Sequence, residues 1–219
     1  MQITADQIGG RMMAEKMTVT WYGHSCFKAE AEGYSIVMDP YEDNNVPGLP
    51  ALCVSANQVL CSHEHGDHNY RDGVELAEGS GPNPWKISWI DTYHDDKKGE
   101  LRGANRIHIL DYHGIRLVHM GDLGCDLTKE QIEEIGRPDA LLIPVGGYYT
   151  IDAVKAKEIS DVLGAVVTIP MHYRSETFGY PVIGTLEEYT KLCDDTVVCG
   201  GNSIQITKGM DKQTAVLSL

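Results

Sequence analysis

The sequence predicts an α/β protein whose architecture is a four-layer αββα sandwich. Short β-like runs alternate with capped helices, and no low-complexity linker interrupts them. A faint internal repeat supports this, because Gly33–Asp39 and Gly114–Asp122 each combine a turn glycine, an apolar strand and a terminal aspartate. Two similar halves would form two sheets packed face to face with helices outside. Chance similarity between strands is the alternative explanation of the repeat.

Short apolar runs bounded by turn residues predict the strands. Ala31-Glu32-Gly33 is the turn between the second and third strands, and His113-Gly114 is the turn of a later hairpin. Strands are predicted at residues 17–22, 25–30, 34–39, 56–61, 86–91, 105–111, 115–120, 140–145 and 165–169. Two more, at residues 203–207 and 214–218, are expected at sheet edges.

Capping residues predict the helices. Thr128-Lys129-Glu130-Gln131 is a capping box, and the helix that it starts is expected to end near Gly136. Residues 152–163 form a second helix that Gly164 stops. Thr185-Leu186-Glu187-Glu188 is a second capping box and begins a further helix.

The length of 219 residues suits one domain with a sizeable core. We assign residues 17–219 to this domain and the polar residues 1–16 to an N-terminal extension. No apolar run approaches the roughly 18 residues needed to span a bilayer, and no secretory signal is visible. The six cysteines include no Cys-x-x-Cys pair. Free, buried thiols in a reducing cytoplasm are therefore expected.

The formal net charge of −14 limits the classes of partner. Such a surface repels phosphate backbones and anionic membranes, so neither nucleic acid nor a membrane is expected as a partner. A small-molecule substrate is expected instead, and a homo-oligomer is compatible with the sequence. Bound divalent ions would make an active cleft locally positive, so an anionic substrate remains open.

The most informative segment is His63-Glu64-His65-Gly66-Asp67-His68, which follows a short apolar strand. Imidazole and carboxylate are ligands of Zn²⁺. If the segment is extended, His63, His65 and Asp67 point the same way and converge on one spot. His68 would point elsewhere and could serve a second ion. A solvated polar loop is the alternative interpretation.

This segment resembles the His-x-His-x-Asp-His signature of the metallo-β-lactamase superfamily. Further landmarks of that family follow the same order along residues 17–207, namely Asp39, His94, Asp122 and His172, each near the end of an apolar strand. The segments Trp21–Phe27 and Arg102–Asn105 are similar to the branch of ascorbate-6-phosphate lactonase-like proteins. The resemblance implies the metallo-β-lactamase fold and a metal-dependent hydrolase, without naming a substrate.

The resemblance also implies a ligand set for two divalent ions. His63, His65 and His94 would hold the first ion, Asp67, His68 and His172 the second, and Asp122 would bridge both. A hydroxide shared by the ions would attack the substrate, with Asp67 and Asp122 as the catalytic carboxylates. Zinc is the first choice, and manganese, iron or nickel suit the same donors. Redox members of the superfamily carry a glutamate where this chain has His65, which disfavours redox chemistry.

Five further residues are expected around this set. The resemblance implies that Asp39 orients the histidines through hydrogen bonds, with a plain Asp-Pro turn as the alternative. His24 either edges the cleft or is structural. Arg102 and Asn105 either contact substrate or brace their loop, and Tyr173 is a candidate for the cleft rim.

The leading functional hypothesis is hydrolysis of a small-molecule ester, lactone or amide by a metal-bound hydroxide at a dinuclear site. A phosphodiesterase acting on a small cyclic or lipid-derived phosphodiester is the second hypothesis, because the same site can perform it. The third is a metal-binding protein without catalysis, which the complete ligand set argues against.

Overall fold

The fold is seen in a computed structural model that describes residues 15–77 and 81–219. The predicted N-terminal extension lies outside the described residues, except for Glu15 and Lys16. Lys16 already belongs to the first strand. The boundary between the extension and the domain stays a prediction.

Fourteen strands and three α-helices are found in the described part of the chain. The strands are β1 (Lys16–Gly23), β2 (Cys26–Ala31), β3 (Tyr34–Met38), β4 (Val54–Ala56), β5 (Gln58–Leu60), β6 (Val74–Leu76), β7 (Lys86–Tyr93), β8 (Ala104–Tyr112), β9 (Ile115–His119), β10 (Ala140–Pro144), β11 (Val167–Met171), β12 (Thr196–Val198), β13 (Ser203–Thr207) and β14 (Gln213–Val216). The helices are α1 (Lys129–Ile135), α2 (Ala153–Leu163) and α3 (Leu186–Thr190).

Two large sheets form the body of the molecule. One has five strands in the order β13-β1-β2-β3-β5, and the other has seven in the order β12-β14-β11-β10-β9-β8-β7. Buried side chains from both sheets, such as Trp21 and Phe27 from the first and Leu117 and Leu142 from the second, belong to one hydrophobic core. The sheets are thus packed face to face, as the α/β sandwich prediction requires.

Each sheet is also covered on its outer face. Helix α2 packs against β10 of the seven-stranded sheet. On the five-stranded sheet, Cys26 and Val37 point away from the main core and pack against Tyr41, Val46 and Val74. In the described residues, that outer cover is built from a loop and the two-stranded sheet of β4 and β6.

Most predicted strands are found, and the differences concern short segments. The run predicted at 56–61 is divided, because Ala56 ends β4 and residues 58–60 form β5. Strand β11 begins two residues later than predicted. Strand β14 was expected at an edge, but it lies between β11 and β12. The sequence did not reveal β4, β6 and β12, because three residues are too few for a period-two pattern to stand out.

The helix signals are confirmed. Both capping boxes are present, with the side chains of Gln131 and Glu188 reaching back to the backbone of the N-cap threonines. Asp152 caps α2 by accepting from Lys155 N, and Gly164 ends this helix in the left-handed conformation. Helix α2 is the longest, at 11 residues, and within the described ranges no helix is long and apolar enough to cross a membrane.

The described residues include all six cysteines, and each thiol is free. The expectation of unpaired thiols is confirmed. The expectation that they are buried is wrong for five of them, because Cys26 is buried whereas Cys53 is exposed and the other four are half-buried.

The direction of the strands determines where the candidate ligands gather. Strands β1, β3 and β5 run the same way in the first sheet, and β7, β9 and β11 run the same way in the second. The candidate site residues follow the carboxyl ends of these six strands. Loops at one edge of the sandwich therefore bring together residues that are far apart in sequence.

Candidate metal centre

The His63–His68 segment is a series of bends and turns, and the expectation of an extended segment is wrong. His68 N donates to His65 O at 2.9 Å, so the chain folds back on itself after His65. Asp67 therefore does not converge with His63 and His65, although alternation along an extended chain would bring the three together. The segment instead contributes to two neighbouring groups of donors.

The first group consists of His63, His65 and His94, whose candidate ligand nitrogens lie within 4.8 Å of one another. The ring centroids of these histidines are 4.6 to 5.2 Å apart. His94 reaches the group from the end of β7, and its amide is tied to Gly103 O at 3.0 Å. Three imidazoles from two separate loops thus face one point.

The second group consists of Asp67, His68, His172 and, in addition, His24. Its donor atoms also lie within 4.8 Å of one another. His24 Nε2 is 3.3 Å from Asp67 Oδ2, and the rings of His24 and His172 are centred 4.1 Å apart. The structure thus places His24 within this group, although the resemblance suggested only that it edges the cleft.

Asp122 lies between the two groups. Its Oδ2 atom is 3.2 Å from Nε2 of His94, which belongs to the first group, and 3.2 Å from Nε2 of both His68 and His172, which belong to the second. The side chain of Asp122 is 2% exposed. One buried carboxylate therefore contacts both sets of imidazoles.

Buried donor atoms without partners test whether this site suits a metal. In the described part of the chain, three neighbouring atoms of the set are buried and have no hydrogen-bond partner, namely His63 Nε2, His68 Nε2 and Asp122 Oδ1. Leaving a buried polar atom unpaired costs about 1 to 3 kcal/mol. A cation that these nitrogen and oxygen atoms coordinate would remove that cost, so the residues present fit divalent metal ions.

The electrostatics of the donors agree with this fit. Burial, together with the nearby His172, lowers the pKa of His24 to about 4. Burial and the nearby His68 lower the pKa of His63 to about 3. Both imidazoles are neutral at pH 7, so His63 Nε2 has a lone pair for a metal, whereas His24 Nε2 can donate a hydrogen bond to Asp67 Oδ2. Burial disfavours the charged form of Asp122, but His172 and His68 hold its pKa well below the usual range.

His68 has the opposite shift. Burial opposes its charged form, yet Asp122, Asp67 and Asp39 raise its pKa well above the usual value. In the metal-free protein, these three carboxylates thus favour the positively charged form of His68. A bound cation would take over that charge and release the proton.

Asp39 connects the first sheet to both donor groups. Its carboxylate accepts from Ser62 N at 2.6 Å, from Ser62 Oγ at 2.6 Å and from His68 Nδ1 at 2.8 Å. Since Ser62 Oγ donates to Asp39, it accepts from His63 Nδ1, which is 2.9 Å away. Protonation of both histidines at Nδ1 leaves each Nε2 free to bind a metal. These bonds favour the orienting role of Asp39 over a plain turn.

Comparisons with known proteins agree with this arrangement. A family model described as the beta-lactamase superfamily domain matches residues 18–172, well over half of the chain. A crystal structure from Thermotoga maritima, described as a zinc-dependent hydrolase of the metallo-β-lactamase superfamily, is 35% identical with a TM-score of 0.71, and the match covers 92% of this chain and 98% of that one. The chain belongs to the metallo-β-lactamase superfamily.

Two further proteins are similar to this chain. A UPF0173 metal-dependent hydrolase of Archaeoglobus fulgidus is 28% identical in an alignment 197 residues long that covers 73% of this chain and 84% of that one. A metallo hydrolase of Ignicoccus hospitalis is 23% identical, with a TM-score of 0.59 over 81% of this chain and 90% of that one, and shows the shared fold. The predictions of the fold and of a metal-dependent hydrolase are confirmed at this level. The lactonase-like branch stays a prediction.

Two of the residues predicted to lie around the metal ligands, Asn105 and Tyr173, do not line the cavity of about 260 Å³ beside the donor groups. Asn105 is buried, and it donates from Nδ2 to Thr92 Oγ1 and Met120 O while accepting from Asp122 N at 2.8 Å. It braces the loop that carries Asp122, whereas the predicted bracing role concerned its own loop after His94. Tyr173 is 5% exposed and packs in the core against Trp21 and Phe178, so its prediction as a rim residue is wrong. His172 faces the site, and the next side chain points to the opposite side.

The cavity of about 260 Å³ opens beside the donor groups. Besides donor residues, its lining includes Arg102, which was predicted to contact substrate, and Tyr149 and Tyr180, which were not among the predicted site residues. The Tyr180 hydroxyl lies 2.8 Å from Asn45 Oδ1 and 3.4 Å from Asp67 Oδ2. Neither tyrosine nor Ser62 belongs to the family signature. The pair Gly146-Gly147, shortly before Tyr149, is the one local signal in the sequence that this loop can approach the site closely.

Gly121 is required by the tight turn before Asp122. Its φ is +56°, and a Cβ there would lie 2.3 Å from Asn105 Oδ1 and 2.5 Å from Ser62 Cβ. Gly121→Ala is expected to lower the free energy of unfolding by about 3 kcal/mol, from backbone strain plus overpacking. Gly33→Ala is the matched control, because φ is +75° but no described atom lies within 4 Å of the added methyl.

The control should cost only about 1 kcal/mol of backbone strain. Urea denaturation of the metal-free proteins measures both values. Equal destabilisation by the two substitutions would contradict the close approach of Gly121, Asn105 and Ser62.

Proposed function

We propose that this metallo-β-lactamase superfamily member hydrolyses a small-molecule ester, lactone or amide at a dinuclear metal site. The carboxylate of Asp122, which contacts imidazoles of both donor groups, carries the proposal. The hydrolase names of the similar proteins support the reaction type. The cavity of about 260 Å³ beside the donors supports a small substrate.

In this proposal, each donor group holds one ion. His63, His65 and His94 hold the first, Asp67, His68 and His172 hold the second, and Asp122 is shared. Zinc is our first choice, and manganese, iron and nickel accept the same nitrogen and oxygen donors. Two bound ions would lower the pKa of a water molecule and polarise the carbonyl oxygen of the substrate.

The two carboxylates of the site have different tasks. The side chain of Asp67 is 16% exposed and lines the cavity, so it can receive the proton that the attacking water loses. His24 and Tyr180 hold its Oδ2 atom at 3.3 and 3.4 Å. Asp122 is nearly inaccessible and acts by fixing His68, His94 and His172.

Among the three bond types we favour a lactone. The segments that are similar to the ascorbate-6-phosphate lactonase-like branch supply His24 to the second donor group, Arg102 to the cavity and Asn105 to the Asp122 loop. The resemblance thus lies in residues at the site. The free thiols of the described chain are consistent with the cytoplasmic location expected from the sequence.

The test measures how fast metal-loaded protein turns over three classes of substrate, namely lactones, aryl esters and aryl phosphodiesters. His172→Ala and Asp67→Ala should each lower kcat/KM by at least about 100-fold, because each removes a ligand of one ion. His113→Ala is the matched control, since this histidine is exposed on the far hairpin and pairs with Glu32. It should leave kcat/KM unchanged.

Faster turnover of phosphodiesters than of lactones and esters would move the assignment to a phosphodiesterase. Stoichiometric metal binding without turnover of any class would favour a metal-binding protein without catalysis. Full activity of His172→Ala or Asp67→Ala would contradict the assigned ligand set.

A further inference from the structure

Arg102 lies where two cavities meet beside the donor groups. It lines the cavity of about 260 Å³ together with Tyr149, Tyr180 and the donors. It also lines a second cavity of about 490 Å³, and both cavities include His65. A molecule that places a reactive carbonyl near His65 can therefore reach Arg102 from either cavity.

Among the described residues, no carboxylate pairs with the charge of Arg102, whereas the charges of two neighbouring arginines are paired. Arg71 and Arg106 also line the larger cavity, and they pair with Glu64 and Asp91 at 3.0 Å each. Among the described residues, no carboxylate lies within 4.0 Å of the Arg102 guanidinium, whose Cζ is 5.5 Å from the ring centroid of Tyr149. In a chain with 32 acidic and 18 basic residues, this leaves a cation available to a ligand.

The loop that carries Arg102 is held firmly. The Asp95 carboxylate accepts from the backbone amides of Lys97, Gly99, Leu101 and Arg102, the last at 2.7 Å. The next residue, Gly103, accepts from the amide of the donor His94 at 3.0 Å. The backbone of Arg102 is thus fixed relative to the first donor group before any ligand arrives, which lowers the entropy cost of binding.

Two tyrosines complete the surroundings. Tyr149 and Tyr180 have ring centroids 5.9 Å apart, and both line the smaller cavity. The Tyr149 ring supports the guanidinium by a cation–π contact, which favours one orientation of its planar fork. Such a fork binds a carboxylate or phosphate through two parallel hydrogen bonds.

We propose that Arg102, supported by Tyr149, forms an anion subsite, and that the substrate carries a carboxylate or phosphate group away from the bond that is cleaved. This inference rests on the proposed hydrolase function and narrows its substrate class. The donor groups receive the reactive carbonyl and Arg102 receives the anionic arm. A neutral ester of the same size lacks the second anchor.

The test compares two esters that differ at one end. 4-Nitrophenyl hemiglutarate ends in a carboxylate and 4-nitrophenyl valerate ends in a methyl group on an acyl chain of equal length. Arg102→Met should lower the ratio of kcat/KM for hemiglutarate to that for valerate by about 10- to 100-fold, mainly through KM. Arg102→Lys should recover part of the ratio, because it keeps the charge but loses the fork.

Arg106→Met is the matched control, because this arginine lines the larger cavity but is already paired with Asp91 and stacks on Trp89. It should leave the ratio within about twofold of the wild-type value, as expected of a rim charge. An unchanged ratio in Arg102→Met would overturn the anion subsite. The ratio also stays unchanged if kcat/KM falls equally for both esters, and that result would indicate a structural role for Arg102.

Calorimetric binding of glutarate and of inorganic phosphate to metal-loaded protein separates this inference from the proposed function. If no ester is hydrolysed but glutarate or phosphate binds about 10-fold more weakly to Arg102→Met at unchanged metal content, the subsite stands and the hydrolase proposal fails. The better-bound anion of the two identifies the group on the substrate. Equal affinity of wild type and Arg102→Met for both anions would overturn the subsite whatever the esterase activity.

Discussion

Asp122→Ala is expected to lower kcat/KM by about 10⁴-fold, the largest effect of any single substitution in the chain. The substitution removes the carboxylate that contacts His68, His94 and His172, and so it affects both donor groups at once. It also removes the negative charge that favours a cation between them. Steady-state assays on protein reconstituted with excess zinc measure the effect, and elemental analysis should show reduced metal content in the same sample.

Asp139→Ala is the matched control for this prediction. Asp139 is also buried, and its carboxylate accepts from Arg116 N and pairs with Lys208, away from the donor groups. Its loss should destabilise the fold without lowering kcat/KM of the folded enzyme. A kcat/KM for Asp122→Ala within tenfold of the wild-type value would contradict the role of Asp122 as the shared ligand.

Asp39→Ala is expected to weaken zinc binding by about 10- to 100-fold, although Asp39 is not among the proposed ligands. Without it, the amide and hydroxyl of Ser62 and Nδ1 of His68 lose their acceptor. His68 and, through Ser62, His63 are then free to rotate. Competition with a chromophoric chelator measures the affinity. The free energy of unfolding of the metal-free protein should also fall by about 2 to 4 kcal/mol, because buried donors are left unpaired.

Asp39→Asn removes the negative charge of the side chain and keeps its shape. Burial disfavours the charged form of Asp39, but His119 and His68 hold the pKa of its carboxyl below the usual range. A lowered folded-state pKa stabilises the protein above the unfolded value of about 3.9, and that contribution is lost as the pH falls. The stability of metal-free Asp39→Asn should therefore fall less between pH 5 and pH 3 than that of the wild type. Wild-type zinc affinity in both Asp39 variants would contradict the orienting role.

The sequence predicts most of this architecture, because the long strands and the capped helices carry strong local signals. Strand β3, which Asp39 follows, and the capping box at Thr128 are examples in which local pattern and final structure agree. The three-residue strands were missed, because their pairing depends on distant neighbours. Strand β14 lies inside the sheet because β12 pairs with its outer edge, and no local pattern in residues 213–216 predicts this pairing.

The candidate site shows more clearly that local sequence patterns do not predict contacts between distant residues. Spacing within residues 63–68 suggested that Asp67 would converge with His63, and the turn at His65 prevents it. The grouping that the structure displays matches the ligand set that the family resemblance implied, with His24 added to the second group. Tyr180 was not predicted, because its approach to Asp67 joins residues 113 positions apart in sequence. Tyr173 was misassigned because adjacent side chains at a strand end face opposite sides.

The most direct test of the central claim is the zinc content of the reconstituted wild-type protein and of Asp67→Ala, measured by elemental analysis after removal of excess metal. If two donor groups share Asp122, the wild type should hold about two equivalents per chain and Asp67→Ala about one. One equivalent in both proteins would mean that the donor groups form a single site. No bound metal in the wild type, with zinc, manganese or iron, would contradict the metal centre itself.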